Sequence, residues 1–160
     1  MENRQVVVFK LMGHEFGIDI KKVREILNYE WVRPIPAAPD YIEGIINVRG
    51  VVYPIFNLRK RLNMSQSDKV EDSKFILLHI EEHRVGFLVD NVKEILTVEP
   101  ESVEKAPKVV DKNQTNCIEY IVKQKDAMVI VLNANEIISD ADHLFIQGVS
   151  DEENCSSNAE

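Results

Sequence analysis

Residues 16–27 read F-G-I-D-I-K-K-V-R-E-I-L, and residues 85–96 read V-G-F-L-V-D-N-V-K-E-I-L. At an offset of 69 residues Gly17 meets Gly86, Val23 meets Val92, and Glu25-Ile26-Leu27 meets Glu94-Ile95-Leu96. His14 and His83 coincide just upstream. In the first copy Val7, Phe9 and Leu11 form one face of a strand over residues 6–11, Met12–Glu15 is a turn, and Phe16 and Ile18 resume the alternation. In the second, FILLHI at 75–80 is a strand, Glu81–Arg84 a turn, and VGFLV at 85–89 the next strand. A shared glycine, a three-residue identity and a common order of elements mark an internal duplication. Gly17 and Gly86 mark a close backbone approach or a bulge within their strands.

After each hairpin the apolar period changes. Ile20, Val23 and Ile26/Leu27 fall on one helical face, as do Val89, Val92, Ile95 and Leu96, so the spacing predicts a short helix in each copy. Asp19 is placed to cap the first of these helices. Further strands close each half: WVRPIP from Trp31, GIINVRG at 44–50 and VVYPIF at 51–56, then Cys117–Val122 and Ala127–Leu132. Pro54 cannot donate to a ladder and belongs at an edge or bulge. Arg59–Met64 and Asn135–Gln147 read as helices, and the polar stretch Ser65–Ser73 as the boundary between halves. Halves this small make marginal cores alone, so they are expected to share apolar surface, with a groove at the seam.

With 44% apolar residues the 160-residue chain is ample for a core and unlike a disordered polymer. Its formal net charge of -8 argues against nonspecific phosphate-backbone binding, which needs clustered positive charge. No apolar run approaches the roughly 20 residues of a membrane-spanning helix, and no secretory leader is evident. Two cysteines, Cys117 in an apolar stretch and Cys155 in a polar tail, do not make a disulfide framework. The segment 151–160 carries carboxylates without Lys or Arg and reads as a disordered acidic tail.

Catalytic signatures are missing: there is no G-x-S-x-G elbow, P-loop, G-x-G-x-x-G fingerprint or H-E-x-x-H helix. His79 and His83, beside Glu81 and Glu82, read as a solvated turn rather than a four-ligand metal site. Neither a cofactor nor a metal is expected. Among the charges Arg49 stands apart, because it ends an apolar-rich run and precedes Gly50. A rigid guanidinium there makes directed bonds to backbone carbonyls or to a carboxylate, of this chain or of a partner.

Taken together, residues 16–27, Y-I-E-G-I-I-N-V-R-G-V-V-Y-P-I-F-N-L at 41–58, residues 85–96 and V-I-V-L-N at 129–133 resemble the CheW-like family of bacterial chemotaxis coupling proteins. The resemblance implies a mainly β fold of two intertwined SH3-like five-stranded β-barrel subdomains with short helices. It implies one domain over residues 1–150, with subdomains at 14–73 and 74–136 bridged by the N-terminal strand and the C-terminal helix. The implied function is a non-catalytic, cytoplasmic adaptor, recruited to membrane receptor arrays without inserting into the membrane. Its implied partners are the cytoplasmic tip of methyl-accepting chemoreceptors and the regulatory domain of the histidine kinase CheA, with mixed rings of the two proteins.

By the same resemblance, partner binding falls to Val23, Glu25, Gly44, Asn47 and Arg49, while Gly17, Gly86, Asp90 and Val92 are structural. Two departures stand out: Asn57 replaces the usual aspartate of the P-x-x-D-L segment, and Tyr120 stands where many members have glycine. A kinase-only regulatory module, and a coupler in a surface-motility pathway, are the competing readings.

Overall fold

Val6–Phe9 and Phe75–Leu78 are apolar at every position, and each lies in a strand buried on both faces. The computed structural model describes residues 4–64, 72–105, 117–138 and 142. In chain order the elements are β1 (Arg4–Leu11), β2 (His14–Asp19), a 3₁₀ turn (Ile20–Lys22), β3 (Val23–Asn28), β4 (Ile42–Val48), β5 (Val51–Asn57) and α1 (Leu58–Arg61). They continue with β6 (Lys74–Ile80), β7 (His83–Val89), β8 (Asn91–Val98), a 3₁₀ turn (Pro100–Ser102), β9 (Val103–Lys105), β10 (Ile118–Lys123), β11 (Met128–Leu132) and α2 (Ala134–Ile137).

The strands form two sheets, ordered β8-β1-β2-β11-β10-β9 and β3-β6-β7-β5-β4. Replacing β1, β2, β8, β11 and β10 by β6, β7, β3, β5 and β4 converts the first order into the second. The duplication is therefore a property of the fold, down to its irregularities. Arg24 is the extra residue of a bulge between the Val23–Leu78 and Glu25–Leu77 pairs, and Lys93 is its equivalent between Phe9–Val92 and Val8–Glu94. Glu43 and Glu119 are likewise the extra residues opposite β5 and β11.

Alternation sorts β1 and β6 between three cores. Val6 and Val8 point into one barrel with Val98, Tyr120, Val122, Val129 and Val131. Phe75 and Leu77 point into the other with Val32, Ile46, Tyr53 and Ile55. The opposite faces, Val7, Phe9 and Leu11 with Ile76, Leu78 and Ile80, meet in a shared central core that includes Phe56, Phe87 and Ile137. At about 1.5–3 kcal/mol for each large side chain fully buried, this shared core makes the halves interdependent. Residues from opposite ends of a sheet, such as Val98 and Val122, lie in one cluster, so each sheet curls into a barrel.

Several expectations are corrected. The helices predicted after each hairpin are strands β3 and β8. A 3₁₀ turn followed by a bulged strand spaces Ile20, Val23 and Ile26 three apart, which imitates a helical stripe. Asp19 does cap, but its Oδ1 accepts from Lys21 N (2.9 Å) at the 3₁₀ turn. WVRPIP is no strand; it contributes one bridge, Arg33 to Ile45. One sheet has six strands rather than five, because β9 adds to β10.

Nor do the sheets follow a division into residues 14–73 and 74–136. β3 pairs with β6 and β8 with β1, so each copy's third strand crosses into the other barrel. α1 is a single turn, shorter than the helix expected over Arg59–Met64, and α2 is a single turn over Ala134–Ile137. Of the Ser65–Ser73 boundary, residues 65–71 lie outside the described residues and Ser73 is buried. The tail 151–160 and most of the expected terminal helix also lie outside them.

Pro54 sits opposite Ile45 of β4, one residue before β5 begins its parallel pairing with β7 at Ile55. Its missing N–H therefore falls where β5 has no neighbour on that side.

Candidate functional site

Arg49 and Gly50 form the two-residue turn of the β4–β5 hairpin, with φ of 51° and 85°. Positive φ at both positions is what a tight hairpin turn with the native strand twist requires. Asn47 secures the turn by accepting from Gly50 N at 2.9 Å. From this turn the Arg49 guanidinium reaches Glu25 of β3, with Nη1 3.3 Å from Oε1 and Nη2 closer still to Oε2. β3 and β4 are the two edges of their sheet, so the pair straps the closing hairpin onto the opposite edge.

The Arg49 side chain is 73% exposed and that of Glu25 28%. The hydrogen bond to Glu25, then its charge, raises the Arg49 pKa, so the guanidinium is always charged. So exposed an ion pair adds little to stability. Its geometry instead orients a cation at the surface.

Val23 and Val92 occupy repeat-equivalent places, opposite Leu78 and Phe9, and both pack partly buried against the shared core. Beyond each bulge lies an isoleucine that the sequence reading used only for periodicity. Ile26 stands opposite Ile76 and Ile95 opposite Val7. Directly paired residues share a sheet face, so both isoleucines lie on the faces that carry the shared core. Yet Ile26 is 37% and Ile95 55% exposed. β3 and β8 thus present matched apolar residues at the borders of the seam. The duplicated E-I-L triplet was the signal for them.

The remaining predicted residues sit at glycine close approaches and at a strand junction. Gly44 has φ of 146°, and a Cβ there would lie 2.0 Å from Arg33 O. The glycine lets the Arg33 segment bridge to Ile45, with N–H···O bonds of 2.9 and 2.8 Å. At Gly17 and Gly86 an added Cβ would meet Val129 at 3.3 Å and Ile55 at 2.5 Å, across the parallel pairings with β11 and β5.

The Asp90 carboxylate accepts from Met12 N (2.8 Å), Arg59 Nε (2.7 Å) and Arg59 Nη2, while Asp90 N donates to Lys10 O (3.1 Å). Asn57 caps α1 by accepting from Lys60 N (3.2 Å), and its amide donates to Glu43 Oε1 (2.6 Å). An ionised aspartate there would have no donor for Glu43. Tyr120 is buried in its barrel with the Arg4 guanidinium 5.4 Å from the ring centre.

Two concavities formed by described residues bear on the candidate site. A seam cavity of about 200 Å³ is lined by Phe16, Arg61, Leu62, Met64, Cys117 and Ile130 among others. None of the predicted partner-binding residues lines it. Burial raises the Cys117 thiol pKa, which makes it a poor nucleophile. The second, about 330 Å³, runs past Glu30, Trp31, Arg33, Ile45 and Asn47, with Trp31 75% exposed. Among the described residues no group of three or more His, Cys, Asp or Glu is placed to hold a metal ion. Among them, too, no helix is long and apolar enough to cross a membrane.

Residues 5–142 match the CheW-like domain family. The chain is 33% identical over 134 residues to the chemotaxis protein CheW of Bacillus subtilis, covering 84% of this chain and 86% of that protein. It is 34% identical over 142 residues to CheW of Treponema pallidum, covering 86% and 84%. The crystal structure of the scaffolding protein TtCheW from Thermoanaerobacter tengcongensis superposes with a TM-score of 0.81 at 32% identity, covering 88% of this chain and 96% of that one. Duplicated barrels, an oriented surface arginine and these likenesses agree: the chain belongs to the CheW-like family, the non-catalytic chemotaxis adaptors that couple receptors to the kinase CheA.

Proposed function

We propose that the chain holds the cytoplasmic tip of a methyl-accepting receptor along β3 and β8, and the CheA regulatory domain on a separate surface. The observation that carries this reading is the Arg49–Glu25 pair, which fixes a charged guanidinium on β3, the edge strand that also carries the partly buried Val23 and the exposed Ile26. Exposed apolar residues with one oriented charge suit a helical partner: apolar burial supplies affinity, and the charge sets register and encounter rate. Val23, Glu25 and Arg49 act at this surface, Asn47 secures the turn that presents Arg49 while also lining the depression beside Trp31, and Gly44 shapes the hairpin.

A coupler needs two faces. The depression beside Trp31 shares no lining residue with β3 or β8, and its exposed indole is of the kind that anchors protein contacts. We assign it to the kinase. Because CheA's regulatory domain resembles this fold, the two proteins alternate in rings beneath membrane receptor arrays.

Reconstitution of receptor tip, CheA and this chain tests the reading through complex formation and autophosphorylation. The expected result is a ternary complex in which kinase activity follows the receptor. Binding to the kinase alone, with no receptor contact, contradicts it.

A further inference from the structure

The duplication extends to a feature at the seam with no counterpart in the sequence repeat as read. α1 follows its cap Asn57, and α2 follows its cap Asn133; Asn57 N donates to Tyr41 O and Asn133 N to Cys117 O, each at 2.7 Å. Two residues past each cap, a side chain crosses to a strand junction of the other copy. Arg59 takes Asp90 between β7 and β8, with Nε 2.7 Å from Oδ1 and a second bond from Nη2. Asn135 takes Lys22 between β2 and β3, with Lys22 Nζ 3.0 Å from Oδ1.

These junctions are the roots of β8 and β3, the strands that carry Ile95 and Ile26. The clamps are alike in place and unequal in kind. Arg59 and Asp90 make a two-bond ion pair, 15% and 29% exposed, and Asp90 also holds Met12 N. The Lys22–Asn135 contact is one hydrogen bond to a neutral amide. Both contacts are charge-assisted, but the first joins opposite charges through two bonds in fixed geometry, whereas the second is a single bond from a cation to a neutral amide.

We infer that Arg59 and Asp90 are positioning residues: the clamp fixes the root of β8, and with it the β8 side of the receptor surface, while the lighter Lys22–Asn135 contact leaves β3 the more adjustable wall. This rests on the placement of the receptor along β3 and β8. Asp90 is thereby given a role at the receptor surface as well as in the fold.

The test measures amide hydrogen exchange in the free protein and affinity for a receptor-tip fragment, using Arg59→Gln, Arg59→Lys, Asp90→Asn and the Arg59→Gln/Asp90→Asn double variant. Expected is faster exchange confined to residues 91–96, with barrel-interior amides of β6 and β11 unchanged. Receptor affinity falls about tenfold in Arg59→Gln, a change typical of a broken network contact. Arg59→Lys recovers part of that loss, and the double variant is no worse than the sum of the singles. Unchanged β8 exchange and affinity in Arg59→Gln overturn the inference, and so does loss spread evenly through both barrels. Failure of the receptor placement looks different: Ile26→Asp and Ile95→Asp then leave affinity intact, whatever the exchange shows.

Discussion

Gly44 and Tyr120 hold the same position in the two halves. Each follows the extra residue of a bulge, Glu43 or Glu119, and each stands opposite the equivalent residue of its partner strand, Ile55 or Val131. One half needs no side chain there, because Arg33 bridges across the edge; the other fills its barrel with a tyrosine and adds β9 outside. One ancestral bulge has thus been put to two packing uses.

Gly44→Ala is expected to destabilise the protein by at least about 2 kcal/mol, through positive φ and a clash with backbone that cannot rotate away. Urea unfolding followed by circular dichroism measures it.

The equivalent glycines differ in cost. Gly86→Ala drives a methyl against the fully buried Ile55 and Leu77, at 2.5 and 3.1 Å, and overpacking of this kind costs about 1–3 kcal/mol. In Gly17→Ala the nearest atom is 3.3 Å away, so stability stays within about 1 kcal/mol of the parent. A denaturation midpoint lower for Gly86→Ala than for Gly17→Ala is the result to look for.

Much of this was legible in the sequence. The strands β1, β2, β6 and β7 follow from alternation, and the duplication from Gly17, Gly86 and the E-I-L triplets. β3 and β8 were hidden because bulges at Arg24 and Lys93 break the two-residue period and leave apolar residues three or four apart. The crossing of β3 to β6 and of β8 to β1 was hidden too, since pairing between halves leaves no trace in either half alone. Arg49 stood out as an isolated charge, whereas Glu25 entered as a site residue only through the family resemblance, and the pairing of the two across 24 residues left no mark in the sequence. Ile26 and Ile95 entered only as members of an apolar stripe, because a pattern cannot show that an edge strand leaves its outer apolar residue uncovered.

Alkaline stability has a defined sign. Burial raises the pKa of the Cys117 thiol above its usual 9.0 and that of Tyr120 above 10.0. Both neutral forms are favoured in the folded state, so their contribution is complete below those unfolded values and is lost as pH rises through the folded ones. Unfolding free energy should decline from about pH 9 upward. Tyr120→Phe should flatten the part of that decline above about pH 10 in a pH series of urea melts.

Ile95→Asp changes an exposed residue and should leave the melting temperature within a few degrees of the parent. If β8 is a wall of the receptor surface, the same change weakens receptor-tip binding by about 2 kcal/mol or more, roughly thirtyfold. Titration calorimetry with the receptor tip and, separately, with the kinase regulatory domain distinguishes a local effect from a general one.

The coupling role is tested most directly by Arg49→Glu, which sets two carboxylates against each other at the β3 surface. The measurement is CheA autophosphorylation in ternary complexes of receptor tip, kinase and this chain, with circular dichroism confirming the fold. A folded variant that loses receptor control of the kinase is the predicted result. A folded variant with unchanged assembly and unchanged kinase control contradicts the role assigned to Arg49.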